Sequence, residues 1–224
     1  KSSGYYFAEI KTSSILNEEQ NSINLIYDIN LGKKAKINSI QFLGDKKIKD
    51  RKLKNIITSE ASRFWKVLSQ SIYLNYERIE MDKRLITNYY KDEGYYNVNV
   101  KNSFVEFTSN GNFNLIFNIN AGNKFKFNKL NLDLSEEYNP KYFSKIKDQL
   151  VELEGKDYSL SRIEKVLREI DKLALSKQYE FINASLSEVI IDNNKLNIEI
   201  SLVDTDRFYV EKINIFGNEY TIEE

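Results

Sequence analysis

Acidic side chains supply the first candidates for chemistry. Glu77, Glu80 and Asp82 form one group, and Glu164, Glu169 and Asp171 form a second. Two facing carboxylates can hydrolyse a glycoside, one as acid and the other as base or nucleophile. Here the acids recur at helical spacing beside Arg78, Lys83 and Arg84, the pattern of a solvated helix face laced with ion pairs. The chain contains no histidine and no cysteine. That excludes triads with an imidazole base, thiolate nucleophiles, and zinc held by thiolate or imidazole. No disulfide can form. No phosphate loop of the GxxxxGK[ST] or GxGxxG type is present. The sequence points away from an enzyme and calls for no cofactor and no metal.

Charge narrows the partners. Lysine plus arginine number 33, as do aspartate plus glutamate. This balance argues against a nucleic-acid partner, which usually demands a basic excess. The basic runs 46–54 and 124–129 read as solvated surface rather than a lipid-binding patch. Aromatic residues are abundant, with 15 tyrosines and 13 phenylalanines. Tyr89-Tyr90 and Tyr95-Tyr96 fall where a helix ends and a strand begins, which suits core and boundary packing. Phe64-Trp65, between two helices, is expected to cap a core in the same way.

The elements that would position such residues come from an internal repeat. Residues 24–38 and 114–128 share nine identities in 15 positions at an offset of 90, and the same offset carries Gly4-Tyr5-Tyr6 onto Gly94-Tyr95-Tyr96. A further shift of 83 or 84 takes Arg78-Ile79-Glu80 to Arg162-Ile163-Glu164, Tyr95 to Tyr179 and Asn114 to Asn197. Ile40-Gln41-Phe42-Leu43-Gly44 reappears as Ile213-Asn214-Ile215-Phe216-Gly217. The order implies the end of one module (1–32), two whole modules (33–122 and 123–206) and the first strand of another (207–224). That last strand is expected to pack alone or to be partly disordered. With one proline and eight glycines there are no flexible linkers, so the modules should abut. No run of about 18 apolar residues could form a membrane-spanning helix. The first residue is Lys1, so the chain is expected to start inside a longer protein.

Each module reads strand, helix, helix, strand, strand. Phe113, Leu115, Phe117 and Ile119 alternate with wetter residues, as do Leu196, Ile198, Ile200 and Leu202, so each final strand buries one face. Turn sequences at 109–112 and 192–194 join the last two strands as a hairpin. Ile163, Val166, Leu167, Ile170, Leu173 and Ala174 form one helical stripe. Ser161 with Glu164 suits a capping box, and Asn139-Pro140 suits a helix start. Asp50 suits the cap of a helix that buries Leu53, Ile56 and Ile57. Two helices on one face of a small sheet make a two-layer α+β module.

These residues resemble a known family. Ile37-Asn38-Ser39-Ile40-Gln41-Phe42-Leu43-Gly44, then paired helices, then Tyr90-Lys91-Asp92-Glu93-Gly94-Tyr95 before a strand, look like a POTRA domain of an outer-membrane assembly factor of the BamA type. Arg207 to Asn218 is similar to the opening of the last such domain before the barrel, and Phe64-Trp65 resembles the third. On that likeness residues 1–32 end the second domain, 33–122 and 123–206 are the third and fourth, and 207–224 open the fifth. The copy at 123–206 departs from the pattern, with Asp133-Leu134 in place of Leu43-Gly44 and Lys177-Gln178-Tyr179 in place of Glu93-Gly94-Tyr95.

The resemblance implies tandem β-α-α-β-β modules with a three-stranded mixed sheet. It implies an arm on the periplasmic face of the outer membrane of a Gram-negative-type cell, on a parent that carries a membrane barrel. Its partners would be unfolded outer-membrane proteins and the lipoproteins of the assembly complex. A different member of the class, a two-partner secretion transporter, would instead read one dedicated partner. In such sheets the strand after the second helix lies at the edge, where a client strand can add by backbone pairing. The candidate edge is therefore Asn97, Val98, Asn99, Val100, Lys101, Asn102, Ser103, Phe104 and Val105 in one module. In the next it is Phe181, Ile182, Asn183, Ala184, Ser185 and Leu186. Lys101, Glu106 and Glu188 are charges of the kind that protect natural edges from pairing.

Overall fold

The computed structural model describes residues 5, 7–17, 21–32, 34–62, 69–108, 111–177, 179, 182–191 and 194–204, with the side chains of 70, 102–105, 182–183 and 203–204 left aside. Phe64-Trp65, Gln178, Phe181 and the strand expected in 207–224 lie outside the described residues.

Strands β1 (Glu9–Asn17) and β2 (Ser22–Asn30) form an antiparallel hairpin. Then come β3 (Ile37–Asp45), α1 (Asp50–Ile56), α2 (Tyr76–Asp92), β4 (Asn99–Phe107) and β5 (Phe113–Asn120). The second round is β6 (Lys126–Leu134), α3 (Ser144–Leu153), α4 (Leu160–Ser176), β7 (Ile182–Ile191) and β8 (Lys195–Asp204). The sheets run in the order β3-β5-β4 and β6-β8-β7. In each, the first strand is parallel to the central one and the remaining pair is antiparallel. The fold is α+β, as the alternating and helical periodicities imply.

The central strands bury one face each. Phe113, Leu115, Phe117 and Ile119 are buried, and so are Leu196, Ile198, Ile200 and Leu202. On α4, Ile163, Val166, Ile170 and Ala174 are buried, with Leu167 and Leu173 packed at the rim of the same core. The repeat also places an asparagine at the irregular start of each first strand. Asn114 Oδ1 accepts from Ser39 Oγ at 2.8 Å, and Asn197 Oδ1 accepts from Asn128 Nδ2 at 2.8 Å. Both pairings sit where β3 and β6 shift register, and Asn197 Oδ1 also accepts from the Lys129 backbone N–H at 3.1 Å. In β2, Ile23, Leu25, Tyr27 and Ile29 hold the positions of the buried β5 face, yet are 55–63 % exposed. No helix lies over that hairpin among the described residues.

Three helix starts differ from expectation. Helix α4 is capped by Ser159, whose Oγ accepts from Arg162 N, and not by Ser161. Asn139-Pro140 forms a turn, with Asn139 Oδ1 accepting from Lys141 N at 3.1 Å, and α3 begins only at Ser144. Asp50 is the first residue of α1 rather than its cap, and its carboxylate pairs with Lys46 at 2.5 Å. Of the three, only α4 has a side-chain cap: the N-cap residues of α1 and α3, Lys49 and Phe143, make no side-chain cap bond.

The acidic face of α2 also needs correcting. Glu80 pairs with Lys83 on the surface, but Asp82 is fully buried. It accepts from Thr58 N at 2.6 Å, Thr58 Oγ1 at 2.7 Å and Ser59 N at 3.1 Å.

Candidate interaction edges

A three-stranded sheet has two outer strands, and backbone groups on either could pair with another chain. On β3 and β6 the protein closes part of that edge itself. Leu74 N donates to Ala35 O at 3.0 Å, and Ser62 N to Ile37 O at 2.7 Å. Further along β3, the Lys46 ammonium donates to Phe42 O at 3.0 Å. On β6 the segment between the helices is more complete. Tyr158 N donates to Phe125 O and Gly155 N to Phe127 O, both at 2.9 Å, while Phe127 N donates to Lys156 O at 3.0 Å. Glu154 extends the closure: it accepts from Leu130 N at 3.2 Å and from Lys129 Nζ at 3.0 Å. The Lys129 ammonium, with the Leu130 N–H, holds the Glu154 carboxyl below its ordinary range, so the clamp is charged at neutral pH.

β4 and β7 differ. Among the described residues, no backbone hydrogen bond engages either strand beyond those to β5 and β8. Asn99 to Val105 lie along the first of these edges, with a register shift between Val100 and Asn102 that leaves Lys101 exposed at the irregularity. Asn97 and Val98 do not belong to it. They sit in the turn before β4, where Val98 N donates to Tyr95 O at 3.2 Å, and the Val98 side chain is buried in the core. Ile182, Asn183, Ala184, Ser185 and Leu186 lie in β7, opposite Asp204, Val203, Leu202, Ser201 and Ile200. The open edge of β7 runs on to Ile191.

The two modules meet where the second edge is anchored. Phe125 N donates to Gly94 O at 2.8 Å. The ring of Tyr96 packs on Tyr158 and Phe125, with centroids 5.1 and 5.5 Å away. Its hydroxyl donates to Glu188 Oε2 in β7 at 2.8 Å. Burial of the phenol, reinforced by that bond, pushes its pKa up to about 12. Asp92, the last residue of α2, accepts from Ser161 N at 2.6 Å and from Ser159 Oγ at 3.2 Å. An acid of one module thus caps the helix of the next, favourable for its dipole as well as its free N–H groups. None of these contacts is visible as a local motif, because the partners lie 29 to 92 positions apart. Replacing Asp92 with alanine should cost about 1 kcal/mol, the usual loss of a cap. Amide exchange at Ser161 should then speed up about fivefold; an unchanged rate would mean that Ser159 alone suffices.

Residues 35–122 match the profile of the POTRA family, described as the surface antigen variable number repeat. The outer membrane protein assembly factor BamA of Neisseria meningitidis is 23% identical over 215 residues, covering 95% of this chain and 27% of that protein. BamA of Buchnera aphidicola is 26% identical over 219 residues, covering 95% and 34%. The chain thus spans about a third or less of these relatives. Among solved structures, it resembles BamA POTRA3-5 of Haemophilus influenzae with a TM-score of 0.54 at 18% identity, covering 90% of this chain and 74% of that one. It resembles BamA of Haemophilus ducreyi lacking POTRA domains 1-3 with a TM-score of 0.53 at 14% identity, covering 76% and 29%. At these identities the structural likeness speaks for the fold.

Proposed function

We propose that this chain, which matches the POTRA family over residues 35–122 and is similar to BamA over 95% of its length, is a run of tandem POTRA domains that serves as the periplasmic arm of an outer-membrane β-barrel assembly factor. In this reading it is a scaffold, not a catalyst. It holds unfolded outer-membrane proteins, and partner lipoproteins, beside a barrel carried by the parent protein. Residues 33–122 and 123–206 would be the third and fourth domains, flanked by the end of the second and the start of the fifth.

The observation that carries the reading is the asymmetry of the edges. Loops and side chains cover parts of β3 and β6, at Ile37, Phe42, Phe127 and Leu130, whereas β4 and β7 have no outer backbone partner among the described residues. Backbone pairing discriminates little between side chains, which suits a client population of many sequences that share only the habit of forming strands. Barrel strands of about ten residues alternate apolar and polar positions, and β4 and β7 are 9 and 10 residues long.

Photo-reactive residues placed one at a time test this. Lys101 and Glu106 report on β4, Ser185 and Ser187 on β7, and Gln41 and Asn131 on the covered strands. With an unfolded outer-membrane protein as bait, cross-links are expected at the first four positions and not at Gln41 or Asn131. Equal labelling at all six, or labelling confined to β3 and β6, would overturn the reading.

A further inference from the structure

The register of β7 divides its side chains between two faces. Ala184, Leu186, Glu188 and Ile190 stand opposite Leu202, Ile200, Ile198 and Leu196, the buried face of β8, so they share the helix side of the sheet. Leu186 and Ile190 are nevertheless 39 % and 51 % exposed, because they lie at the rim of the sheet, beyond its central strand. Between them lies the Glu188 carboxylate, with one oxygen held by the Tyr96 hydroxyl. No cation pairs with it among the described residues. The edge therefore presents apolar, acidic and apolar side chains in succession on one face.

We propose that the outer edge of β7 selects an incoming amphipathic strand that carries lysine or arginine opposite Glu188 and apolar residues opposite Leu186 and Ile190. This rests on β7 being a strand-addition edge, and it goes beyond that reading by naming what the edge prefers. A strand added there sets each residue about 4.5–5.5 Å from its cross-strand partner, where opposite charges attract and like charges repel. A second copy of β7 paired with Glu188 opposite Glu188 would meet a like charge. An apolar residue opposite Glu188 would lie against the carboxylate and hinder its hydration. The acid that guards the edge against indiscriminate pairing is thus also what a suitably charged strand satisfies. Tyr96 fixes the carboxylate in place, so the preference belongs to the joined pair of modules.

The test uses the whole chain, isotopically labelled, and three alternating peptides of about ten residues, the length of a barrel strand. They differ only at the central position of the apolar face, which holds arginine, leucine or glutamate. Amide shifts along β7 should report binding, with the arginine peptide about fivefold tighter than the leucine peptide and the glutamate peptide weakest. Glu188→Lys should reverse the order of the two charged peptides. If that protein does not fold, Glu188→Gln should bring their affinities together. Three equal affinities at β7, unchanged by either substitution, would overturn the selectivity while leaving the edge itself in place. Absence of any shift in β7 with all three peptides would overturn the edge as well.

Discussion

Gly44→Ala should lower the stability of the first complete module by about 3 kcal/mol. Two costs combine. Gly44 has φ +89°, where an L side chain costs about 1–2 kcal/mol. A Cβ there would also lie 2.3 Å from Ile119 O and 2.6 Å from Asn118 Oδ1. The first of these is backbone of the central strand, fixed by ladders on both sides, so it cannot swing away as a flexible side chain would. Forcing extra volume into such a site typically costs about 1–3 kcal/mol. The equivalent position in the next module is Leu134, which continues β6 in register with Leu202. The departure of that copy from the glycine pattern therefore reflects a strand that ends without the left-handed turn. Urea unfolding followed by circular dichroism gives the size of the loss, and amide exchange gives its place: β3 and β5 should loosen before β6 and β8. A loss under about 1 kcal/mol would mean that the β3 terminus can move away from β5.

The parts of this fold legible in the sequence are those with a period. Leu115 and Ile198 announce their burial through alternation, and Ile163, Val166 and Ile170 through helical spacing. The repeat supplied the order of elements because both copies must solve the same packing problem. The parts that were not legible depend on partners distant in sequence. Glu154 looks like one more surface acid until β6 lies beside it. Asp92 looks like the acidic end of a helix, where its charge would be unfavourable, until α4 of the next module presents its N-terminus. The candidate edges show both situations. Strand existence over Asn99–Phe107 followed from the repeat. That β3 and β6 are partly closed follows only from hydrogen bonds made by aperiodic loop segments and two side chains, and those closures are what single out β4 and β7.

Asp82→Ala should cost about 3 kcal/mol and should also open an edge that is closed in the native protein. The carboxylate accepts three hydrogen bonds from Thr58 and Ser59. Removing a buried acceptor leaves its donors to pay about 1–3 kcal/mol each, less where water can reach them; Thr58 is exposed and Ser59 is buried. Position 82 corresponds to Val166 in the next module under the offset of 84, so the helix itself tolerates an apolar residue there. What the acid holds is the segment leaving α1. That segment continues to Glu60, whose N–H donates to Ser71 O, and to Ser62, whose N–H closes the β3 edge at Ile37 O. Without Asp82 the segment loses its anchor, and the Ile37 carbonyl becomes available to another strand. A photo-reactive residue at Gln41, silent in the native protein, should then cross-link to unfolded outer-membrane protein. Asp82→Asn keeps one acceptor oxygen and should lose roughly half as much stability, with little labelling at Gln41. A destabilised Asp82→Ala protein that still leaves Gln41 unlabelled would separate the two roles: the acid would support the core, and some other contact would keep β3 covered.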